Sequence, residues 1–223
     1  RVLRQRNRIL KEKRDSRFLD ASIMEPWDRS LVEIGSRIVE ERFLLLKALE
    51  SYAQAHFTAL TDNTEMLSLR YLSTINFAGD LEQVESSFKE QLITSRATEL
   101  RKGSTVVGPH LDDFSVLING CDARKFGSQG QQRSAVLALK MGEVDLFNGN
   151  GEKKTILLLD DVFSEFDEER RRQLLGYLIN REDQSFITTA VPLPDLSRDH
   201  AKKSYLFSVD RGKVKIDGAR ADY

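Results

Sequence analysis

Ile156-Leu157-Leu158-Leu159-Asp160-Asp161 is the stretch on which the fold turns: a short apolar run leads straight into two adjacent carboxylates. Such a run suits a strand buried on both faces of a parallel sheet. In open α/β sheets ligands sit at the carboxyl ends of strands, so acids there reach a bound ligand while the strand stays in the core. In nucleotide hydrolases a strand-end aspartate holds Mg2+, and a neighbouring acid orients the attacking water. The same pair also suits a solvated strand end or the lead into a helix.

The flanking residues extend this strand into a β-α-β unit. A charged helix is expected from about Glu168 to Asn180 and a second strand at Phe186 to Thr189, an order that predicts a parallel sheet. Upstream, Gly127-Ser128-Gln129-Gly130-Gln131-Gln132-Arg133 precedes a helical pattern of Ala135, Leu137, Ala138, Leu139, Met141 and Val144. Ser128 suits an N-cap, and Gln131 three residues later completes a capping box. A hydroxyl, a glycine that permits close approach and the free amides of a helix start make an anion site, although such a segment taken alone is more often just a helix cap.

Thr105 to Val107 and Phe114 to Ile118 read as strands, with turns at Gly108-Pro109 and Asn119-Gly120. Ser204 to Ile216 reads as a hairpin around Asp210-Arg211-Gly212. The first hundred residues are mainly helical. After Pro26, which fits a first-turn position, Trp27, Leu31, Ile34, Ile38, Leu45, Leu49 and Tyr52 keep helical steps. A helix reaching about Ala59 is expected, roughly 50 Å long at 1.5 Å per residue. Leu67 to Ile75 alternates like a short strand, and Leu81 to Leu100 returns to helical spacing.

The 223 residues carry 34 basic and 35 acidic side chains, a net charge of −1, so no global excess of charge points to nucleic acid. Residues 1–17 are different, with eight basic groups against Glu12 and Asp15. Arg4, Arg6, Arg8 and Lys11 are the candidate DNA contacts there, and a solvated helix face accounts for the run as well. The lone cysteine, Cys121, excludes an intramolecular disulfide, and His56, His110 and His200 are too scattered for a zinc site, so a reducing, cytoplasmic setting is expected. His110, Asp112 and Asp113 can be drawn as a metal cluster, but their spacing fits a turn leading into a strand. No apolar run approaches the roughly 20 residues of a membrane span, and the opening residues lack the apolar core of a signal peptide. A first residue of Arg1 rather than Met suggests a fragment or a processed product.

Taken together these segments resemble a known family. Ser128 to Arg133 looks like the signature loop of ATP-binding-cassette ATPases, Ile156 to Asp161 like their Walker B strand, and Ser164-Glu165-Phe166-Asp167 like their D-loop. Gly108-Pro109-His110-Leu111-Asp112-Asp113-Phe114, Leu158 to Glu165, Arg6 to Lys11 and Pro26-Trp27-Asp28 are similar to the RecF family of bacterial recombination mediators. The similarity covers essentially the whole chain, as the C-terminal portion of such a protein. It implies an α/β fold, with a helical arm or lobe over 1–102 and the C-terminal part of an ATPase head over 103–223.

The resemblance also assigns roles. Asp160 matches the Mg2+-binding aspartate, and Asp161 stands where most cassette ATPases have a catalytic glutamate, one methylene longer. Ser128, Gln129, Gly130 and Gln131 match the loop that closes over the γ-phosphate of ATP held by the opposite subunit. Ser164 and Asp167 match the D-loop at the dimer interface. No histidine follows the expected switch strand, and Thr188 or Thr189 is the substitute. Gly127 and Gln129 replace a leucine and a glycine of the common loop, as in RecF, while Leu111 stands where many RecF proteins have arginine. The implied cofactors are ATP and Mg2+. The implied partners are double-stranded or gapped DNA, a second copy in an ATP-dependent dimer, and mediator proteins of the RecR and RecO type, in recombinase loading after DNA damage and with no membrane. The alternatives are an SMC-like structural head and arm, or the ATPase subunit of a cassette transporter.

A phosphate loop of the form G-x-x-x-x-G-K-[ST] is missing, since Lys154-Thr155 is preceded by Lys153 rather than glycine. In the family that loop lies in the N-terminal part. Arg1 is therefore expected to begin inside a longer protein, itself a weak DNA-regulated ATPase, and this portion alone to hydrolyse ATP negligibly.

Overall fold

The computed structural model describes residues 1–13, 21–61, 64–77, 80–149, 155–164, 166–179, 184–191 and 205–219. The elements run α1 (Val2–Glu12), α2 (Ala21–Leu60), β1 (Leu67–Leu72), a 3-10 turn (Leu81–Gln83), α3 (Val84–Lys102), β2 (Asp113–Ile118), β3 (Cys121–Asp122), α4 (Ala123–Phe126), α5 (Gln129–Asn148), β4 (Ile156–Leu159), α6 (Glu168–Ile179), β5 (Gln184–Ile187), β6 (Tyr205–Asp210) and β7 (Lys213–Ala219). They form two compact units interleaved along the chain: Arg1–Ala48 with Leu69–Leu117, and Leu49–Ser68 with Ile118–Tyr223. Expectations that rest on Arg14, Arg17, Lys153, Lys154, Glu165, His200 or Ser204 lie outside the described residues.

In the first unit the apolar stripe of α2 (Leu31, Val32, Val39) is buried with Val84, Phe88 and Leu92 of α3 and with Ile75, Phe77 and Val107. Steps of seven or eight on α2 and of four on α3 place these residues on one face of each helix. Gly35 lets α3 approach, because a Cβ there would lie 2.5 Å from the Phe88 ring. α3 ends at Gly103, whose φ of +66° is a left-handed cap, with its N–H donating to Glu99 O at 2.7 Å.

α1 is tied down by a charge. Arg6 is fully buried and donates to both Glu99 oxygens at 2.8 and 2.5 Å, to Asp28 Oδ1 at 2.9 Å and to Thr105 Oγ1 at 2.6 Å. Burial alone would lower the Arg6 pKa, but Glu99 and Asp28 more than offset it and hold the guanidinium above its ordinary value.

The second unit buries Leu137, Ala138, Met141 and Val144 of α5, Leu174, Leu175 and Leu178 of α6, and Ala53, Phe57 and Leu60 of α2. Gly142 puts α5 almost against the α2 backbone, since its Cβ would lie 2.8 Å from Ala53 N. His56 of α2 links the other two helices. Its Nε2 lies 2.6 Å from Asp145 Oδ2 of α5 and 3.2 Å from the Tyr177 hydroxyl of α6, with the two rings edge to face. β4 and β5 pair in parallel with Leu158 opposite Phe186, and β6 and β7 pair antiparallel around Arg211 and Gly212, both at positive φ. The β-α-β unit and the terminal hairpin are thus present as expected.

Four local expectations need correction. Pro26 is not in the first turn: α2 starts at Ala21, so a residue without an N–H stands inside the helix, unable to donate to the carbonyl four residues back. β1 stops at Leu72, three residues short of Ile75. Thr105 to Val107 is no strand, because side chains take its amides: Thr105 N donates to Asn7 Oδ1 at 2.8 Å and Val106 N to Glu99 Oε1 at 3.2 Å. Finally, β4 is buried on one face only, with Leu157 and Leu159 at 8% and 7% exposure against 56% and 72% for Ile156 and Leu158.

Candidate functional site

Asp160 and Asp161 follow β4 directly, and both are exposed. Thr188, one residue past β5, secures them. Its N–H continues the parallel ladder to Leu159 O at 2.9 Å, its carbonyl accepts from Asp161 N at 3.1 Å, and its hydroxyl donates to Asp160 Oδ1. Asp161 adopts φ +48°, a left-handed conformation that aspartate tolerates better than most residues. The turn is closed by Ser164, whose hydroxyl donates to Asp161 O at 2.9 Å. Of the residues singled out in the sequence, Asp160, Asp161 and Ser164 therefore share the turn after β4, and Thr188 meets it from the end of β5. Thr189 does not join them: its hydroxyl donates to Val191 O and accepts from Val191 N, both at 3.1 Å. Asp167 caps α6 by accepting from Arg170 N at 2.9 Å.

The start of α5 is the capping box that the sequence predicts. Ser128 Oγ accepts from Gln131 N at 3.2 Å, and Gln131 Oε1 accepts from Ser128 N at 2.8 Å. Gln131 Nε2 donates to Glu65, which occupies both ends of that side chain. The N–H groups of Gln129 and Gly130 have no protein acceptor among the described residues, and the Ser128 hydroxyl keeps its proton to donate. Gly127 has a local reason to be glycine, because a Cβ there would lie 2.6 Å from the carbonyl oxygen of Ala123, the first residue of α4.

The segment around His110 is a packing knot. Asp112 accepts from Tyr71 Oη at 2.7 Å, Ser73 Oγ at 3.1 Å, Thr74 N at 2.8 Å and Thr74 Oγ1 at 2.9 Å. Burial first, and then the bond to Asp112, push the Tyr71 phenol well above its ordinary pKa. Arg42 donates to Pro109 O at 2.5 Å, and Leu111 is exposed. Among the described residues no group of three or more His, Cys, Asp and Glu side chains is arranged to hold a metal ion. Sequence inspection misses the Asp112 hub because its donors come from 38 to 41 residues upstream.

On α1, Arg4, Arg8 and Lys11 are exposed, with Arg8 paired to Glu12 at 2.8 Å. Arg6 is buried on Glu99 and Asp28 and offers no donor to a phosphate, so it leaves the set of DNA candidates. Among the described residues no helix is long and apolar enough to cross a membrane.

No protein-family model matches the chain. Among curated proteins it is 36% identical over 216 residues to the "DNA replication and repair protein RecF" of Halothermothrix orenii and 39% identical over 216 residues to that of Streptococcus gordonii. Each match takes in 96% of this chain and 57% of the relative, so the chain spans little more than half the length of the curated relatives it matches. Two solved structures of the recombination mediator protein RecF of the RecFOR pathway, one described as RecF-ATP and the other as RecF-ATPrS, superpose with TM-scores of 0.76 and 0.75 at 31% identity, over 97% of this chain and 56% of theirs. Fold and sequence thus agree over nearly every residue, and the chain is a homologue of the C-terminal part of the RecF proteins, with an α/β fold of the ATP-binding-cassette ATPase type.

Proposed function

We propose that this chain is the C-terminal part of an ATP-dependent DNA-binding protein of recombinational repair, in which its signature loop closes over ATP held by a second copy. The observation that carries the proposal is the start of α5. There the capping box satisfies the Ser128 and Gln131 amides and leaves the Gln129 and Gly130 amides and the Ser128 hydroxyl as donors that suit an anion. The solved RecF structures with ATP or its analogue support that choice of anion.

The strand-end turn supplies the other half of the chemistry. One exposed carboxylate, oriented by a neighbouring hydroxyl, fits Mg2+, which is held by one or two protein oxygens together with phosphate and water rather than by a protein cage. Asp160 is that ligand. Asp161, set at φ +48° by Thr188 and Ser164, is the acid that orients an attacking water. With Mg2+ bound, ATP brings the negative charge that the two copies share, so nucleotide is a component of the interface and slow hydrolysis releases it. Ser164 and Asp167 lie at the same interface as the D-loop.

Residues 1–102 supply most of the helical lobe and 103–223 most of this part of the ATPase head, with 49–68 belonging to the second compact unit and 103–117 to the first. Partners of this cytoplasmic protein are gapped or double-stranded DNA and mediators of the RecR and RecO type, and its task is to help load recombinase. The test mixes the full-length protein with gapped duplex, with and without ATP, on a native gel. ATP-stimulated retention is expected. Equal retention in both lanes contradicts the proposal.

A further inference from the structure

We propose that Arg170 is a further contact for the terminal phosphate at the Ser128–Gly130 loop, made from the same copy as the loop. This inference rests on the reading above, that the loop closes over nucleotide held by a second copy.

A Cβ built on Gly130 would lie 2.5 Å from Arg170 Nη1 and 4.0 Å from Ser128 Oγ. A guanidinium N–H and the serine hydroxyl thus flank one point in space, beside the unpartnered amides of Gln129 and Gly130. A planar fork of N–H donors next to a hydroxyl and helix-start amides matches the oxygens of a phosphate.

Nothing in the helix itself calls for this cation. Arg170 is the third residue of α6, where the helix dipole disfavours positive charge. Its two neighbours have protein partners: Arg171 Nε donates to Phe163 O at 2.7 Å, and Arg172 pairs with Glu168 at 3.4 Å and Glu169 at 3.2 Å. The Arg170 guanidinium, half-buried, has no such partner among the described residues. It also lines a cleft of about 250 Å³ with three acids: Glu65, whose Oε1 accepts from Gln131 while its buried Oε2 has no partner among the described residues, Asp167, which accepts from the Arg170 amide, and Glu169, which pairs with Arg172. Gly130 therefore does two things, exposing its own amide and leaving space for the arginine.

The test measures ATP-dependent dimerisation of the full-length protein by sedimentation, beside ATP binding to the monomer and the thermal unfolding midpoint. Arg170→Ala and Arg170→Gln are expected to weaken the dimer about tenfold or more, with ATP binding and unfolding unchanged, and Arg170→Lys to recover part of the loss. Wild-type dimerisation of Arg170→Ala, or rescue by glutamine as complete as by lysine, overturns the proposal, since a packing role depends on shape rather than charge. Ser128→Arg in parallel separates the two levels. If it abolishes the dimer while Arg170→Ala does not weaken it, the inference about Arg170 alone fails. If Ser128→Arg leaves the dimer intact, the reading of the loop fails and takes the role of Arg170 with it.

Discussion

Thr188 donates its hydroxyl to Asp160 Oδ1, so the carboxylate at the end of one strand is aimed by a residue at the end of its parallel neighbour. The Thr188 main chain bonds Leu159 and Asp161 on either side, which fixes the distance between the two strand ends as well as the rotamer. Outer partners of this kind hold a metal ligand in place, and their loss costs about 10- to 100-fold in metal affinity or activity. Thr188→Val keeps the shape and removes the donor. If the full-length protein hydrolyses ATP as proposed, its turnover is expected to fall by about tenfold, and Asp160→Asn to lower it further. Steady-state ATP hydrolysis at varied Mg2+ measures both, and unchanged turnover in Thr188→Val would deny the threonine its role.

Arg6 and Glu99 make a buried pair that joins α1 to α3. Removing one partner of such a pair strands the other charge away from water, at about 3–5 kcal/mol. Glu99→Ala should therefore lower the stability measured by urea unfolding by that order. Replacing Arg6 and Glu99 together by apolar residues of similar volume should cost far less than the sum of the single changes. A loss under about 1 kcal/mol in Glu99→Ala, the range of exposed ion pairs, would mean that solvent reaches the site.

Two glycines of α5 separate packing from function. At Gly142 the obstacle to a Cβ is the Ala53 backbone at 2.8 Å, whereas at Gly130 it is the mobile tip of Arg170. Gly142→Ala is expected to destabilise by about 1–3 kcal/mol, because α2 and α5 must separate. Gly130→Ala should leave the thermal unfolding midpoint unchanged and show its effect only on ATP-dependent dimerisation. Equal unfolding shifts in the two variants would argue against the helix contact at Ala53.

Arg4, Arg8 and Lys11, the exposed cations of α1, are the remaining candidates for DNA contact. Charge reversal at Arg4 and Arg8 should reduce the slope of log affinity against log salt by about 0.9 for each phosphate that these side chains neutralise. Unaltered slopes for gapped duplex would place the DNA surface elsewhere.

Much of this was legible in the sequence. Local rules settle the α5 cap, since Ser128 and Gln131 meet within one turn, and they settle the β-α-β order and the Asp210-Arg211-Gly212 reversal. What stayed hidden depends on residues far apart in the chain. A basic run at a helical period does not show which arginine turns inward, and Arg6 does so because Glu99 and Asp28 wait there. Thr105 to Val107 has the composition of a strand, yet Asn7 and Glu99 take its amides. Nor does spacing show that Arg170, among three successive arginines, is the one that lies against Gly130.

The most direct test of the central claim is sedimentation of the full-length protein carrying Ser128→Arg, with ATP and Mg2+ present. A bulky side chain at the loop should abolish the ATP-dependent dimer while the monomer still binds ATP. A dimer as tight as that of the unaltered protein would contradict the claim that the start of α5 closes over nucleotide held by a second copy.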